Sequence, residues 1–275
     1  VKRVTAWAIH LVLLAGIVLV SGPFVYMILT SLTTDNFSLP SPHKLMNSPK
    51  TLNNYVEAWS KNHFSQYFVN SIFISITTMV ISLFLSSLTA YGFARFPFPG
   101  KELLFRIFLF SMFVPAILNI IPQFTIIKSL GLVDTYTGLI LLYIGTGIVG
   151  STFFLRGFFE RIPVELEESI VIDGGSKWTI YHKIYIPLSL PAIGTLGIFA
   201  FSGTWDEFIV ALTLIKTESN RTLPIALQLF RGQYATYYGL FFAASMMALI
   251  PIIAIFILFQ KQFVNPNVSE GSVKG

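Results

Sequence analysis

The sequence predicts an all-α, polytopic membrane protein with six transmembrane helices, and three observations carry that prediction. Of its 275 residues 54% are hydrophobic and only 11% are charged, where a soluble domain carries roughly a quarter charged. Six windows, 4–34, 62–94, 107–127, 135–155, 184–205 and 232–260, contain no Asp, Glu, Lys or Arg over at least 18 residues. Each is long enough for a helix of about 20 residues to cross a hydrocarbon core of about 30 Å, and six such helices do not fit a soluble core. The third observation is where the basic residues fall, at the ends of the windows rather than along a stripe.

The first span is placed at about 7–32. Lys2-Arg3 ahead of an apolar run also describes a signal peptide, whose apolar region is about 7–15 residues. Here the run is 31 residues without a charge, and an uncleaved span is expected. Segment 35–61, with Pro40, Pro42 and Pro49, reads as an irregular extracytoplasmic loop. The next spans are expected at about 68–94, 105–126 and 136–157, followed by a loop at 158–188 and spans at about 190–215 and 238–261. Six spans put both termini on one side. If that side is the cytoplasm, inner segments hold 11 Lys and Arg in 58 residues against 7 in 60 outside. Inner loops carry the excess of Lys and Arg, so both termini are expected in the cytoplasm, and 158–188 is the largest cytoplasmic loop.

Several chemistries are set aside. The net charge of +5 comes from scattered residues and asks for no nucleic-acid partner. With no cysteine there is no disulfide framework, thiol nucleophile or thiolate metal site. Histidines at 10, 43, 63 and 182 show no metal spacing, so no metal and no cofactor is expected. Gly145-x-Gly147-x-x-Gly150 matches a dinucleotide fingerprint, but that motif needs a preceding strand and a following acidic residue. These glycines lie inside an apolar window, where small residues serve close helix packing. No G-x4-G-K-[ST] phosphate loop occurs. Glycosylation triplets at Asn220 and Asn267 are weak patterns.

The stretch "ELEESIVIDGGSKWTIYHKIYIP" (165–187) is unusual between such apolar runs. Pro163 suits a first helical turn, where its missing N–H is no loss. Glu165, Glu167 and Glu168 then complement the helix dipole at its N-terminus. Leu166 and Ile170 give an apolar stripe over a helix at 163–173. Gly174-Gly175 ends it, glycine taking the left-handed conformation at a helix end cheaply. Ser176 caps a second short helix on which Trp178, Tyr181 and Ile184 share a face until Pro187. The apolar residues Ile170, Val171, Ile172, Trp178, Ile180 and Tyr181 mark the loop as a docking surface rather than a solvated one.

Glu168, Asp173-Gly174 and Ile184-x-Ile186-Pro187 give this loop a spacing that resembles the EAA loop of ABC-importer permeases, EAA-x3-G-x9-I-x-L-P. It departs at Ser169-Ile170, where the pattern has alanines, and at Ile186 for leucine. The stretches "NNYVEAW", "YFVNSI", "LTAYGFARFPFPGK", "IPVELEE", "TWDEF", "RTLPIALQLF", "LIPIIAIFILFQKQFV" and "GSVKG" follow in the order of the carbohydrate-type permeases. They are similar to the six-span subunit of the maltose-type heterodimer. The resemblance implies a type I ABC-importer permease architecture and a single membrane domain over 1–275. It implies an ATPase-coupling interface at Glu165, Glu168, Ser169, Asp173, Gly174, Gly175, Lys177, Ile184 and Pro187. It further implies a homologous second permease, two ATP-binding subunits, an extracytoplasmic solute-binding protein and a carbohydrate, expected to be an oligosaccharide. The subunit itself would do no chemistry and would sit in a bacterial or archaeal cell membrane.

The substrate path or its gate is assigned to Asn119, Ser202, Trp205, Asp206, Glu207 and Phe208. On a continuous fifth helix Asp206 lies about 15 Å below the end near Lys216, and ionisable residues at such depth face a bundle interior or a wet path. Successive helical residues diverge by about 100°, so a face through Asp206 with Ser202, Gly203 and Val210 competes with one through Trp205 with Phe201, Ser202 and Ile209. The Asp206 face is expected to line the path, since its small neighbours leave room and a buried carboxylate needs water or a partner. Asp206 and Glu207 do not converge as a catalytic pair. Two other classes stay open at this point, a secondary transporter, which needs repeat symmetry and midplane ion ligands, and an intramembrane enzyme, which needs convergent acid, base or nucleophile groups.

Overall fold

The computed structural model describes residues 2–34, 39–61, 63–233 and 237–260, without the side chains of 2–6, 8 and 229–233. The expected cytoplasmic C-terminal segment, with "GSVKG" and the Asn267 triplet, lies outside the described residues. The helices are α1 (Lys2–Ser31), α2 (Pro42–Asn47), α3 (Asn53–Ser60), α4 (Phe64–Arg95), α5 (Lys101–Phe110), α6 (Ile120–Ser129) and α7 (Tyr136–Phe159). They continue with α8 (Glu165–Ile172), α9 (Lys177–Ile180), a three-residue α10 (Ile186–Leu188), α11 (Leu190–Trp205), α12 (Ile209–Leu214), α13 (Leu223–Gln233) and α14 (Tyr238–Phe259). Among the described residues no strand forms beyond an isolated bridge between Thr33 and Lys50. α1, α4, α7 and α14 are each long and apolar enough to cross a membrane, and two bent helix pairs supply two more spans if each counts as one.

The chain packs as two units. In the first, residues 1–68 with 225–250, α1 shows apolar side chains all round and buries none of its most apolar window. A helix apolar on every side belongs in lipid or a larger protein core. Its C-terminal carbonyls, which have no partner in the helix, are met by Asn54, whose Nδ2 donates to Ser31 O at 2.7 Å and Thr33 O at 2.9 Å. The "NNYVEAW" stretch is therefore a cap on α1.

In the second unit, residues 69–224 with 251–275, α4 buries Ser71, Ser75, Thr78, Ser82 and Ser86 at helical spacing. Small hydroxyl residues let helices approach closely. A Cβ on Gly147 would stand 3.5 Å from Ser82 Oγ and one on Gly150 3.7 Å from Met112. Both are ordinary contact distances, so a Cβ would fit at either glycine, and one on Gly145 would meet nothing within 4 Å; the close packing expected of these glycines does not require them here.

The third and fifth spans differ from the straight helices expected. Lys101–Phe113 and Ala116–Ser129 meet at 98°. The cause is Pro115, which drives the preceding residue out of the helical region; Val114 sits at ψ 118. Lys177–Leu188 and Leu190–Trp205 meet at 75° around Ser189, and α11 stops at Trp205 rather than running to 215. A core of Ala90, Tyr91, Leu155, Phe159, Ile180 and Tyr185, among others, joins one end of α4 and α7 to the start of α11. The charged loop is built on that core.

Candidate functional site

α8 begins at Glu165, two residues after Pro163, so the proline precedes the first turn rather than lying in it; Glu167 N donates to Val164 O at 2.8 Å, and three glutamates lie in the first turn. Its end is a Schellman turn. Gly174 N donates to Val171 O at 3.0 Å and Gly175 N to Ile170 O at 2.8 Å. Gly174 sits at φ +74, as the sequence predicts, with open space where a Cβ would be. Gly175 is required for a different reason: its Cβ would lie 2.3 Å from Ile170 Cγ2 and 2.9 Å from Ile170 O. Ser176 then caps α9 by accepting Thr179 N at 3.2 Å.

The two short helices present one surface and bury another. Glu165, Glu168, Ser169, Asp173, Gly174, Lys177 and Pro187 are exposed. So are Leu166, Val171, Trp178 and above all Ile172, at 84%. Ile180, Tyr181 and Ile184, in contrast, are buried in the core. The Trp178 and Tyr181 rings do lie together, centroids 5.1 Å apart, but this side passes from exposed at Trp178 into the core at Tyr181 and Ile184, so Ile184 supports the interface from behind. A five-residue π-helix at Tyr181–Tyr185 continues α9 and carries these buried side chains. α4 holds this second helix through Tyr91 Oη, which donates to Lys177 O at 3.2 Å, and a Ser87–Tyr181 hydroxyl pair at 2.6 Å.

The sequence reading missed Glu167 as a site residue. It is 6% exposed, accepts a hydrogen bond from Tyr185 Oη and lies 3.2 Å from Arg95 Nε. Its signal was its spacing: three residues before Ile170 it shares the inward stripe of α8, while Glu168 points away.

At the end of α11 the helical ladder breaks. In a continuous helix Val210 N and Ala211 N would bond the carbonyls of Asp206 and Glu207. They bond the Glu207 carboxylate instead, at 2.8 and 3.0 Å, and Tyr143 Oη donates to the same carboxylate at 2.7 Å. Glu207 thus caps α12 at the end where negative charge suits the dipole. Trp205 is 2% exposed and stacked on Phe201 with centroids 5.6 Å apart. Asp206 is exposed, and Ser202 and Phe208 are half-buried. The expected divergence of Trp205–Phe208 around one helix is therefore corrected: Trp205 packs, Glu207 caps, and Asp206 is left outward. Asn119 is half-buried at the bend of the other broken pair, just before α6.

The segment after α12 is tied down by Asp134. Its carboxylate accepts Lys216 N and Thr217 N, both at 2.9 Å, and the Thr217 hydroxyl. The Thr217 hydroxyl bond, with the two backbone amides, holds this carboxyl below the ordinary aspartate range. Among the described residues no cluster of His, Asp and Glu has the spacing of a metal site.

The sequence profile of binding-protein-dependent transport system inner membrane components matches residues 82–266. The trehalose transport system permease protein SugB of Mycobacterium tuberculosis (strain CDC 1551 / Oshkosh) is 33% identical over 276 residues, 100% of this chain and 99% of that protein. The galactooligosaccharides transport system permease protein GanQ of Bacillus subtilis (strain 168) is 34% identical over 229 residues, 82% of this chain and 81% of that protein. The crystal structure of a bacterial ABC transporter involved in the import of the acidic polysaccharide alginate shares the fold, with a TM-score of 0.82 at 23% identity over 96% of this chain and 98% of that one. The transporter and enzyme alternatives give way to the family that the loop motif suggested. The chain belongs to the binding-protein-dependent transport system inner membrane components, the multi-pass permease subunits of ABC importers.

Proposed function

We propose that this chain forms half of the translocation path of an ATP-driven carbohydrate importer, paired with a homologous permease, two ATP-binding subunits and an extracytoplasmic binding protein. The sugar class, an oligosaccharide, is supported by the trehalose and galactooligosaccharide relatives. One observation carries the coupling role. The helix pair α8–α9 turns its exposed apolar and acidic side chains away from the same core that anchors it, the form a docking element takes when a partner must move it. In this reading the loop faces the cytoplasm and both termini lie there. Closure of the ATPase pair pulls the 163–187 segment, and the packed helices rotate as bodies from inward-facing to outward-facing. Asp206, Ser202, Phe208 and Asn119 line or gate the path, with Trp205 and Glu207 fixing its wall.

Glu168 tests the docking. It is exposed, and no described residue pairs with it, so its carboxylate is available for a charge-assisted contact with a basic group on the ATPase. Glu168→Ala lowers sugar-stimulated ATP hydrolysis of the reconstituted complex more than it lowers sugar capture by the binding protein. Normal stimulation would remove this loop from the coupling.

A further inference from the structure

Of the eight residues of α8, only Glu167 is buried. A short surface helix ordinarily anchors through apolar side chains; this one is anchored by a carboxylate, with Ile170 partly buried beside it. Its buried partner is Arg95, the last residue of α4, whose side chain is 13% exposed against 8% for Glu167; Lys177 Nζ, largely exposed, lies 3.6 Å from the other carboxylate oxygen. The Arg95 guanidinium also donates through Nη2 to Phe159 O at 2.9 Å and to Ile162 O, carbonyls at and just past the end of α7. It lies over the Tyr185 ring, 5.2 Å from the centroid, and the Tyr185 hydroxyl donates to the same Glu167 carboxylate. One side chain therefore joins α4, the end of α7, the coupling helix and the π-helical turn.

We infer that Arg95 and Glu167 are positioning residues that transmit displacement of the 163–187 loop to α4 and α7. This rests on the coupling role proposed above. Apolar contact resists compression but lets one helix slide or roll on another. The guanidinium is fixed in direction by its bonds to the two carbonyls, and its Nε faces the Glu167 carboxylate as an ion pair without hydrogen-bond geometry, so the joint resists pulling as well as pushing. Replacing a buried ion pair with apolar groups is often neutral or stabilising, so net stability alone does not account for a paired charge at the single buried position of α8. Transmission does.

The test uses the complete reconstituted complex and reads sugar transported per ATP hydrolysed, alongside the amount of ATP-binding subunit retained. Glu167→Gln removes the charge while keeping an acceptor for Tyr185. Arg95→Lys keeps the charge but removes the fork, and Tyr185→Phe removes one hydroxyl from the cluster. Residues that carry coupling change it by about 2- to 30-fold. Transport per ATP is expected to fall within that range in Glu167→Gln and Arg95→Lys, and less in Tyr185→Phe, with ATPase retention unchanged. The exchanged pair, Arg95→Glu with Glu167→Arg, regains part of the ratio. An unchanged ratio in all three single variants overturns the inference. So does a parallel loss of assembly and transport in all three, which would leave a purely structural role. If the unmodified complex shows no ATP-dependent transport, the coupling reading itself fails, a result separate from either of these.

Discussion

The paired glycines at the end of α8 allow a prediction whose size follows from the geometry. Gly174→Ala places an L-residue at φ +74, where a Cβ meets nothing within 4 Å. The expense is therefore backbone strain alone, about 1–2 kcal/mol. If the partner accepts only the turned loop, that strain weakens docking by at most about 5- to 30-fold. Gly174→Val is worse, because β-branched residues fit positive φ poorly. Gly175→Ala acts through contact instead. Neither neighbour gives way cheaply: the Ile170 Cγ2 methyl, 2.3 Å from the new Cβ, sits on the β-branch of a helical side chain with one favoured χ1, and the Ile170 carbonyl at 2.9 Å accepts the Gly175 N–H. Overpacking of this kind costs about 1–3 kcal/mol. The control is Gly131→Ala, at φ +71 and equally open, which imposes the same strain outside this loop. The assay is a titration of purified ATP-binding subunit onto the permease pair in lipid nanodiscs. Weakened binding is expected for both loop variants and unaltered binding for Gly131→Ala. Folded Gly174→Ala and Gly175→Ala complexes that bind normally would show that docking does not need the turn.

Three further outcomes are expected. Ile172→Ser, at a residue 84% exposed, changes stability by no more than about 0.5 kcal/mol but loosens the ATPase, whereas Ile180→Ala, at 0% exposure, lowers stability by about 2–5 kcal/mol; thermal denaturation followed by size exclusion separates them, and similar effects would merge face and core. Glu207→Ala removes the cap of α12, a loss of about 0.5–2 kcal/mol visible as faster amide exchange over 209–214, while Asp206→Asn leaves exchange unchanged and alters transport; the reverse pattern would exchange their roles. Because the Asp134 carboxyl is held below its ordinary range by the Thr217 bond, its contribution is complete above the unfolded value of about 3.9 and fades only as pH falls through the lower folded one. Amide protection over 215–222 should follow that course, and Asp134→Asn should abolish the pH step.

Composition and the length of the uncharged runs alone determined that the chain is a membrane protein of apolar helices, because the need to satisfy backbone groups in lipid leaves a strong sequence signal. The glycine turn was equally legible: positive φ at Gly174 and the cap at Ser176 are local chemistry, set within a few residues. What the sequence could not give was direction in space. Trp178, Tyr181 and Ile184 read as one face, and only packing against α4 and α7 decided that Tyr181 and Ile184 enter the core while Trp178 stays exposed. Asp206 and Glu207 read as neighbours on one helix, yet at the break between α11 and α12 the Glu207 carboxylate takes up two backbone amides and a hydroxyl from α7. Glu167 looked like one dipole charge among three, and only the approach of Arg95, 72 positions earlier in the chain, made it the anchor of the loop. Local conformation is decided by near neighbours along the chain. Which of two adjacent carboxylates is buried is decided by distant residues packing against them, and that is a property of the folded chain.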